Sequence, residues 1–191
     1  MAMTDARILR TRAALHKAIT ELATQKPVGE ITVSELAESA GINRVTFYKH
    51  YTTPAEALAD ALHTELVKVC DEAAPATEID PFTHCIYTAL DHLEARKQLY
   101  TIAFNDQVDG TVPMMLSRFL TGVAETYLTK RRKRKPAVPD VDLDVAAAFL
   151  ATGATGAIRV WILEGDMSRE RFFENLPLLL PAWFLAEEQS S

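Results

Sequence analysis

The chain has 191 residues, 48% of them apolar and 24% charged, with 7 Gly and 9 Pro; this excludes a collagen-like or disordered polymer and allows one or two domains. No window holds about 18 uninterrupted apolar residues and no apolar h-region follows Arg12, so no membrane span is expected and a cytoplasmic location is the simplest reading. The net charge of −6 is divided as +2 over residues 1–52 and −8 over residues 53–191, an asymmetry that signals different partners for the two parts.

Ile8, Leu15, Ala18, Ile19 and Leu22 form one apolar stripe, which predicts an amphipathic helix over 5–25. Lys26-Pro27-Val28-Gly29 stops it. Thr32 and Glu35 make a capping box, in which the Thr32 hydroxyl accepts from the Glu35 amide and the Glu35 carboxylate reaches back. Val33, Leu36, Ala37 and Ala40 then give the inner face of a second helix, ended by Gly41 at a C-cap. Asn43 is a good N-cap for a short third helix reaching His50.

Thr53-Pro54-Ala55-Glu56 is a second capping box and opens a long helix to Glu72. Helices are predicted over 81–96, 97–107, 113–129, 141–163 and 169–187, the last kinked at Pro177 and Pro181. No stretch alternates with period two, so the fold class is all-α. Cys70 and Cys85 show neither CxxC spacing nor a nearby His ligand pattern, and reduced thiols are expected. The run Lys130-Arg131-Arg132-Lys133-Arg134-Lys135 repels itself and is read as a solvated loop, with a second polyanion contact as the sharper alternative.

Two short helices around Gly41-Ile42-Asn43, following a longer one, have the shape of a helix-turn-helix. Phe47 and Tyr51 lie four apart on the inner face of the third helix, leaving Arg44, Thr46, Tyr48, Lys49 and His50 on the rest. No carboxylate occurs from Ala40 to Ala55, which suits an anionic partner. Arg pairs with guanine edges, Thr meets a base edge or thymine methyl, and Tyr, Lys and helix N-terminal amides donate to phosphate.

The string from Ile31 to Tyr51, ITVSELAESAGINRVTFYKHY, closely resembles the DNA-binding signature of TetR-type transcriptional repressors, and the likeness extends from about Arg10 to Leu62. The resemblance implies an N-terminal three-helix DNA-binding head over residues 1–53 and a larger helical ligand-binding and dimerisation domain over residues 54–191. It places Arg44, Val45 and Thr46 nearest the base edges. Tyr48, Lys49, His50 and Thr32 are placed at phosphates. Many members carry a Lys near the start of the fourth helix, where this chain has Pro54.

The resemblance further implies a homodimer on a palindromic double-stranded operator and an unidentified small-molecule effector. For the dimer interface, the nearly uncharged stretch from Val141 to Leu163 offers Ala151, Ala154 and Ile158. Gly153 and Gly156 there suggest close backbone approach. Phe172, Leu176, Leu179 and Trp183 form one apolar face of the last helix. For the ligand pocket, Phe104, Met115, Phe119, Tyr127 and Trp161 are the bulky candidates, with His84, Tyr87, Tyr100, Asn105 and Gln107 as polar partners.

No GxSxG, P-loop, GxGxxG or HExxH motif is present, so no catalytic residue, metal site or cofactor is expected. The alternative to a ligand-released repressor is a constitutive DNA-binding dimer whose C-terminal domain holds no ligand.

Overall fold

The computed structural model describes residues 2–72, 81–105, 109–133 and 138–185, and their regular structure is all helical. In order these are α1 (Ala2–Ala23), a 3-10 turn (Val28–Glu30), α2 (Val33–Ser39), α3 (Arg44–Phe47), α4 (Pro54–Glu72), α5 (Pro81–Ala95), α6 (Lys97–Asn105), α7 (Thr111–Arg131), α8 (Leu143–Glu164), α9 (Arg169–Leu179) and α10 (Ala182–Leu185).

Local chemistry sets most of these boundaries. Thr32 Oγ1 accepts from the Glu35 amide at 3.2 Å, so the first half of that capping box forms. The second half does not: the Glu35 carboxylate pairs with Lys26 Nζ at 2.8 Å, because an opposite charge within reach is a stronger partner than a backbone amide. At the second box, Thr53 Oγ1 accepts from the Glu56 amide at 3.1 Å and Glu56 Oε2 accepts from the Thr52 amide at 2.7 Å. Asp142 caps α8, accepting at 3.0 Å from the amides of both Asp144 and Val145, and Gly165, at φ 71°, ends that helix in the left-handed region.

Beyond shifts of a few residues at other ends, three departures from the sequence-based ranges have a clear physical cause. α7 begins before Pro113 because the proline sits in the first turn, where a missing N–H leaves no hydrogen bond unmade. The same helix runs on through Lys130 and Arg131, so these two residues are helical and not loop, and Arg131 is only 2% exposed. Arg132 and Lys133 are exposed, whereas Arg134 and Lys135 lie outside the described residues. The last predicted helix is broken: α9 stops at Leu179, and Leu180 is extended because the following Pro181 crowds it out of the helical region. The stretches 106–107 and 186–187 of the predicted helices lie outside the described residues.

α4 joins the two parts of the chain. Near its start Ala57, Leu58, Ala61 and Leu62 pack with Leu15, Ile19, Leu36 and Phe47 of the first three helices, and Leu66 continues the same core. That core runs without interruption into Leu90, Leu93, Leu99, Leu116, Ile158 and Trp161. Gln98 Nε2 also donates to the Thr24 carbonyl at 2.9 Å, tying α6 to the end of α1. A smaller cluster of Ala124, Leu128, Ala147 and Phe184 gathers Phe82, Tyr127 and Trp183 around it.

Cys70, near the end of α4, is joined to Cys85 of α5 by a disulfide, with the two Cα atoms 4.7 Å apart. This corrects the expectation of reduced thiols: helix packing brings together residues that local spacing does not associate. α8 is long and apolar enough in composition to cross a membrane. Its apolarity is shared between two faces. Ala147, Ala151, Ile158, Trp161 and Ile162 bury inside the chain, whereas Val145, Phe149 and Val160 are exposed. Gly153 and Gly156 belong to the exposed side, and a Cβ added at either meets nothing within 4 Å, so no close backbone approach occurs there among the described residues.

Candidate nucleic-acid interface and ligand cavity

The turn between α2 and α3 is made by Gly41, whose φ of 65° suits a residue without a Cβ. Ile42 N donates to the Ala37 carbonyl at 2.9 Å and closes the turn. Asn43 Oδ1 then accepts from the Thr46 amide at 2.8 Å and starts α3. Regular α-helix ends at Phe47, and Lys49 and His50 continue in tighter turns through bonds to the Thr46 and Phe47 carbonyls at 3.2 and 2.8 Å. Phe47 is fully buried and Tyr51 nearly so, fixing the inner face.

The outer face is open. Val45 is 69% and Tyr48 54% exposed, Arg44 and Lys49 are exposed, and Thr46 and His50 are half-buried. Thr32 is exposed at the start of α2. All seven residues assigned from the sequence to DNA therefore lie at the start of α2, on α3 and in the turn after it; six of them fall in the stretch 40–55, which carries no carboxylate, whereas Thr32 precedes Glu35 and Glu38 of α2.

A polar cluster not foreseen in the sequence holds this head on α4. Arg12 Nη2 donates to both carboxylate oxygens of Asp60, at 2.7 and 2.6 Å. His16 Nε2 lies 2.8 Å from Asp60 Oδ2 and 2.7 Å from the Tyr51 hydroxyl, and that hydroxyl donates to Asp60. Burial pushes the Asp60 carboxyl up, but hydrogen bonds from Arg12, Tyr51 and His16 outweigh it and hold it down at about 2. The Tyr51 hydroxyl is pushed well up, by burial first and the bond to Asp60 second. The one sequence signal is the i, i+4 spacing of Arg12 and His16, which puts them on one face of α1.

In the larger part, a cavity of about 440 Å³ opens between α4, α5 and α7. Its walls include Phe82, Phe119 and Tyr127, the half-buried Cys70 and Cys85, and the cations Arg118, Lys130 and Arg131. Among the sequence-based pocket candidates, Phe119 and Tyr127 share this cavity. Met115 and Phe119 face a separate open cleft between head and body, which Arg12, Lys49 and His50 also line. Phe104 and Trp161 are buried in the core, the latter stacked on Phe172 at 5.0 Å.

The polar candidates divide similarly. Tyr87 stacks on Phe173, Asn105 is exposed, His84 is half-buried on α5, and Gln107 lies outside the described residues. Tyr100 is buried with its hydroxyl 3.2 Å from His92 Nε2. Burial, then the nearby Arg96 guanidinium, holds the His92 imidazole down at about 4 against the pull of Glu65.

The proposed interface residues fall into three settings. Ala151, Ile158 and Phe172 are buried within the chain, Ala154, Leu176 and Trp183 are partly buried, and Leu179 is exposed. Beside Leu179, the outward apolar surface comprises Val145, Phe149, Val160 and Leu178.

A helix-turn-helix whose second helix presents an open face with Arg44 and Lys49 exposed is the shape of a DNA-binding head, and comparison with known proteins gives the family. Residues 15–62 match the model of bacterial regulatory proteins of the tetR family, and residues 80–180 match a transcriptional regulator C-terminal region of the same family. The chain belongs to the TetR family of transcriptional regulators.

It is 26% identical over 182 residues to the HTH-type transcriptional regulator TtgR of Pseudomonas putida, covering 92% of this chain and 80% of that one. Over 80 residues it is 32% identical to the HTH-type transcriptional regulator YxbF of Bacillus subtilis, a match spanning 41% of this chain and only 21% of that protein's length. The fold is similar to that of Thermus thermophilus FadR, a TetR-family repressor solved with lauroyl-CoA. The TM-score is 0.61 at 18% identity, over 94% of this chain and 98% of the other.

Proposed function

We propose that the chain is a homodimeric repressor in which residues 1–53 read a palindromic operator and residues 54–191 bind a small effector and dimerise. The observation that carries this is the outer face of α3: exposed Arg44, Val45, Tyr48 and Lys49 stand over buried Phe47 and Tyr51, in a stretch of sequence without a carboxylate from residue 40 to 55. In this reading Arg44, Val45 and Thr46 meet base edges. Tyr48, Lys49, His50 and Thr32 hold phosphates, fixing register without reading sequence.

The dimer is supported by the outward stripe of Val145, Phe149, Gly153, Gly156 and Val160 on α8 with Leu178 and Leu179 on α9, apolar surface that a second copy would remove from water. Two-fold pairing sets recognition helices about 34–36 Å apart, one turn of DNA. The effector site is assigned to the 440 Å³ cavity holding Phe119 and Tyr127, whose wall includes α4, the helix that carries the head. A ligand there biases the tilt of α4 and so the spacing of the paired heads; a coupling of about 1–3 kcal/mol changes occupancy about five- to 150-fold. The FadR complex with lauroyl-CoA supports a ligand-responsive body in a protein of this fold.

The test is selection of duplexes from a randomised pool at near-physiological salt, beside a Tyr48→Ala, Lys49→Ala double variant. The expected result is a palindrome recovered by the wild type alone. Equal retention of unselected DNA by both proteins refutes sequence reading by α3.

A further inference from the structure

We infer that Cys70 and Cys85 are an oxidisable pair, a modification site for hydroperoxides that clamps the end of α4 to α5 and strengthens operator binding. The effect on DNA rests on the reading proposed above; the chemistry of the pair does not.

The geometry supports this from three sides. First, the Cα separation of 4.7 Å lies inside the range that disulfides require, so the helix packing itself holds the two cysteines where the bond can close. In the bonded state Cys70 Sγ lies 3.5 Å from the Cys85 carbonyl oxygen and 3.9 Å from Thr88 Oγ1, in a half-polar setting. Second, both residues are half-buried and line the open cavity between α4, α5 and α7, which gives a small peroxide a path to sulfur. Among the described residues Arg118, Lys130 and Arg131 line the same cavity with one carboxylate, Asp71, and a cationic surrounding favours the thiolate that attacks peroxide.

Third, Cys70 and Asp60 lie on the same helix. Asp60 carries the cluster with Arg12, His16 and Tyr51 that fixes the head, and ten residues of helix place the clamp about 15 Å from it along one rod. Holding one end of that rod restricts what the other end can do.

The chemistry balances. One thiolate attacks the peroxide ROOH; its O–O bond breaks, ROH leaves, and a sulfenic acid forms on sulfur. The second thiol displaces hydroxide from that sulfur and the S–S bond closes with loss of water. Two thiols are thereby oxidised by two electrons and the peroxide is reduced to an alcohol and water. An exchanging dithiol such as dithiothreitol reverses the reaction.

The experiment uses the full chain, reduced and freed of reductant, then treated with hydrogen peroxide, with dithiothreitol added back to one portion. Intact mass and alkylation should show loss of two hydrogen atoms, no free thiol and no cross-linked dimer. Amide exchange in α4 should slow on oxidation. Affinity for the selected operator should rise at least about five-fold and fall again with dithiothreitol. Cys70→Ser and Cys85→Ser should each abolish all three responses. Thiols that stay alkylatable after peroxide, unchanged exchange in α4, or an oxidised protein that binds its operator no better would each overturn the inference. If neither redox form retains any duplex, the DNA-reading proposal has failed, and the exchange of α4 alone decides this one.

Discussion

At the scale of single residues, the molecule places its most consequential polar groups where they hold helices together. Asp60 accepts from Arg12 and Tyr51 and lies beside His16, so removing its charge strands several donors at once. Asp60→Asn should cost about 1–3 kcal/mol, and Tyr51→Phe about 1, read as shifts of urea midpoint. Because the folded carboxyl sits at about 2, below its ordinary 3.8, its contribution is complete above pH 4 and disappears as pH falls towards 2. His92 acts over a different window. Held at about 4 against an ordinary 6.5, it must be neutral in the folded protein, so its contribution is present above pH 6.5 and is lost as pH falls through 4. Wild-type stability should therefore drop by up to about 3 kcal/mol across that interval, and His92→Gln should flatten the curve. An equally steep curve for the variant would assign the acid sensitivity elsewhere. None of these partnerships was legible beforehand. Arg12 and Asp60 are 48 positions apart and His16 and Tyr51 35 apart, and no local rule links residues at such distances.

At the scale of elements, what could be read was what short-range chemistry decides. Caps at Thr32, Asn43 and Thr53 are two- or three-residue rules, and all three form. The all-α class followed from periodicity repeated along the chain. Competition between rules decided the rest: Glu35 had a cap to complete but a lysine within reach, and the kink expected at Pro181 is a full break, whereas Pro177 stays inside α9. The cap at Asn43 matters more than its local energy, since α3 is only four residues long. Asn43→Ala should cost about 1 kcal/mol of stability. Its effect on operator affinity should be larger, because a frayed α3 misplaces Arg44 and Thr46 together. Parallel melting and titration of operator would separate the two effects. On α8, periodicity identified an apolar helix but could not tell which face meets the chain's own core, as Ala151 and Ile158 do, and which remains outside, as Phe149 does at 78% exposure.

At the scale of the whole molecule, the proposed dimer sets that outward face against a second copy. Phe149→Glu places a charge in the middle of the stripe, while the position makes little contact within the chain. The variant should keep its helical circular dichroism, sediment as a monomer at micromolar concentration, and lose the palindrome. Gly156→Ala is a finer probe: the added Cβ meets nothing within 4 Å among the described residues, so any weakening of association reports a partner helix against that spot. A variant that remains fully dimeric in both cases would move the interface off α8. The head, by contrast, divides its labour cleanly. Phe47 and Tyr51 face inward and carry the folding load, whereas Arg44, Val45, Tyr48 and Lys49 project into solvent. Exchanges at such positions usually change stability by no more than about 0.5 kcal/mol. If these are the residues that address DNA, as proposed, the alphabet can be rewritten letter by letter while the page it is printed on stays intact, so a duplicated copy of this gene could acquire a new address without passing through an unfolded intermediate.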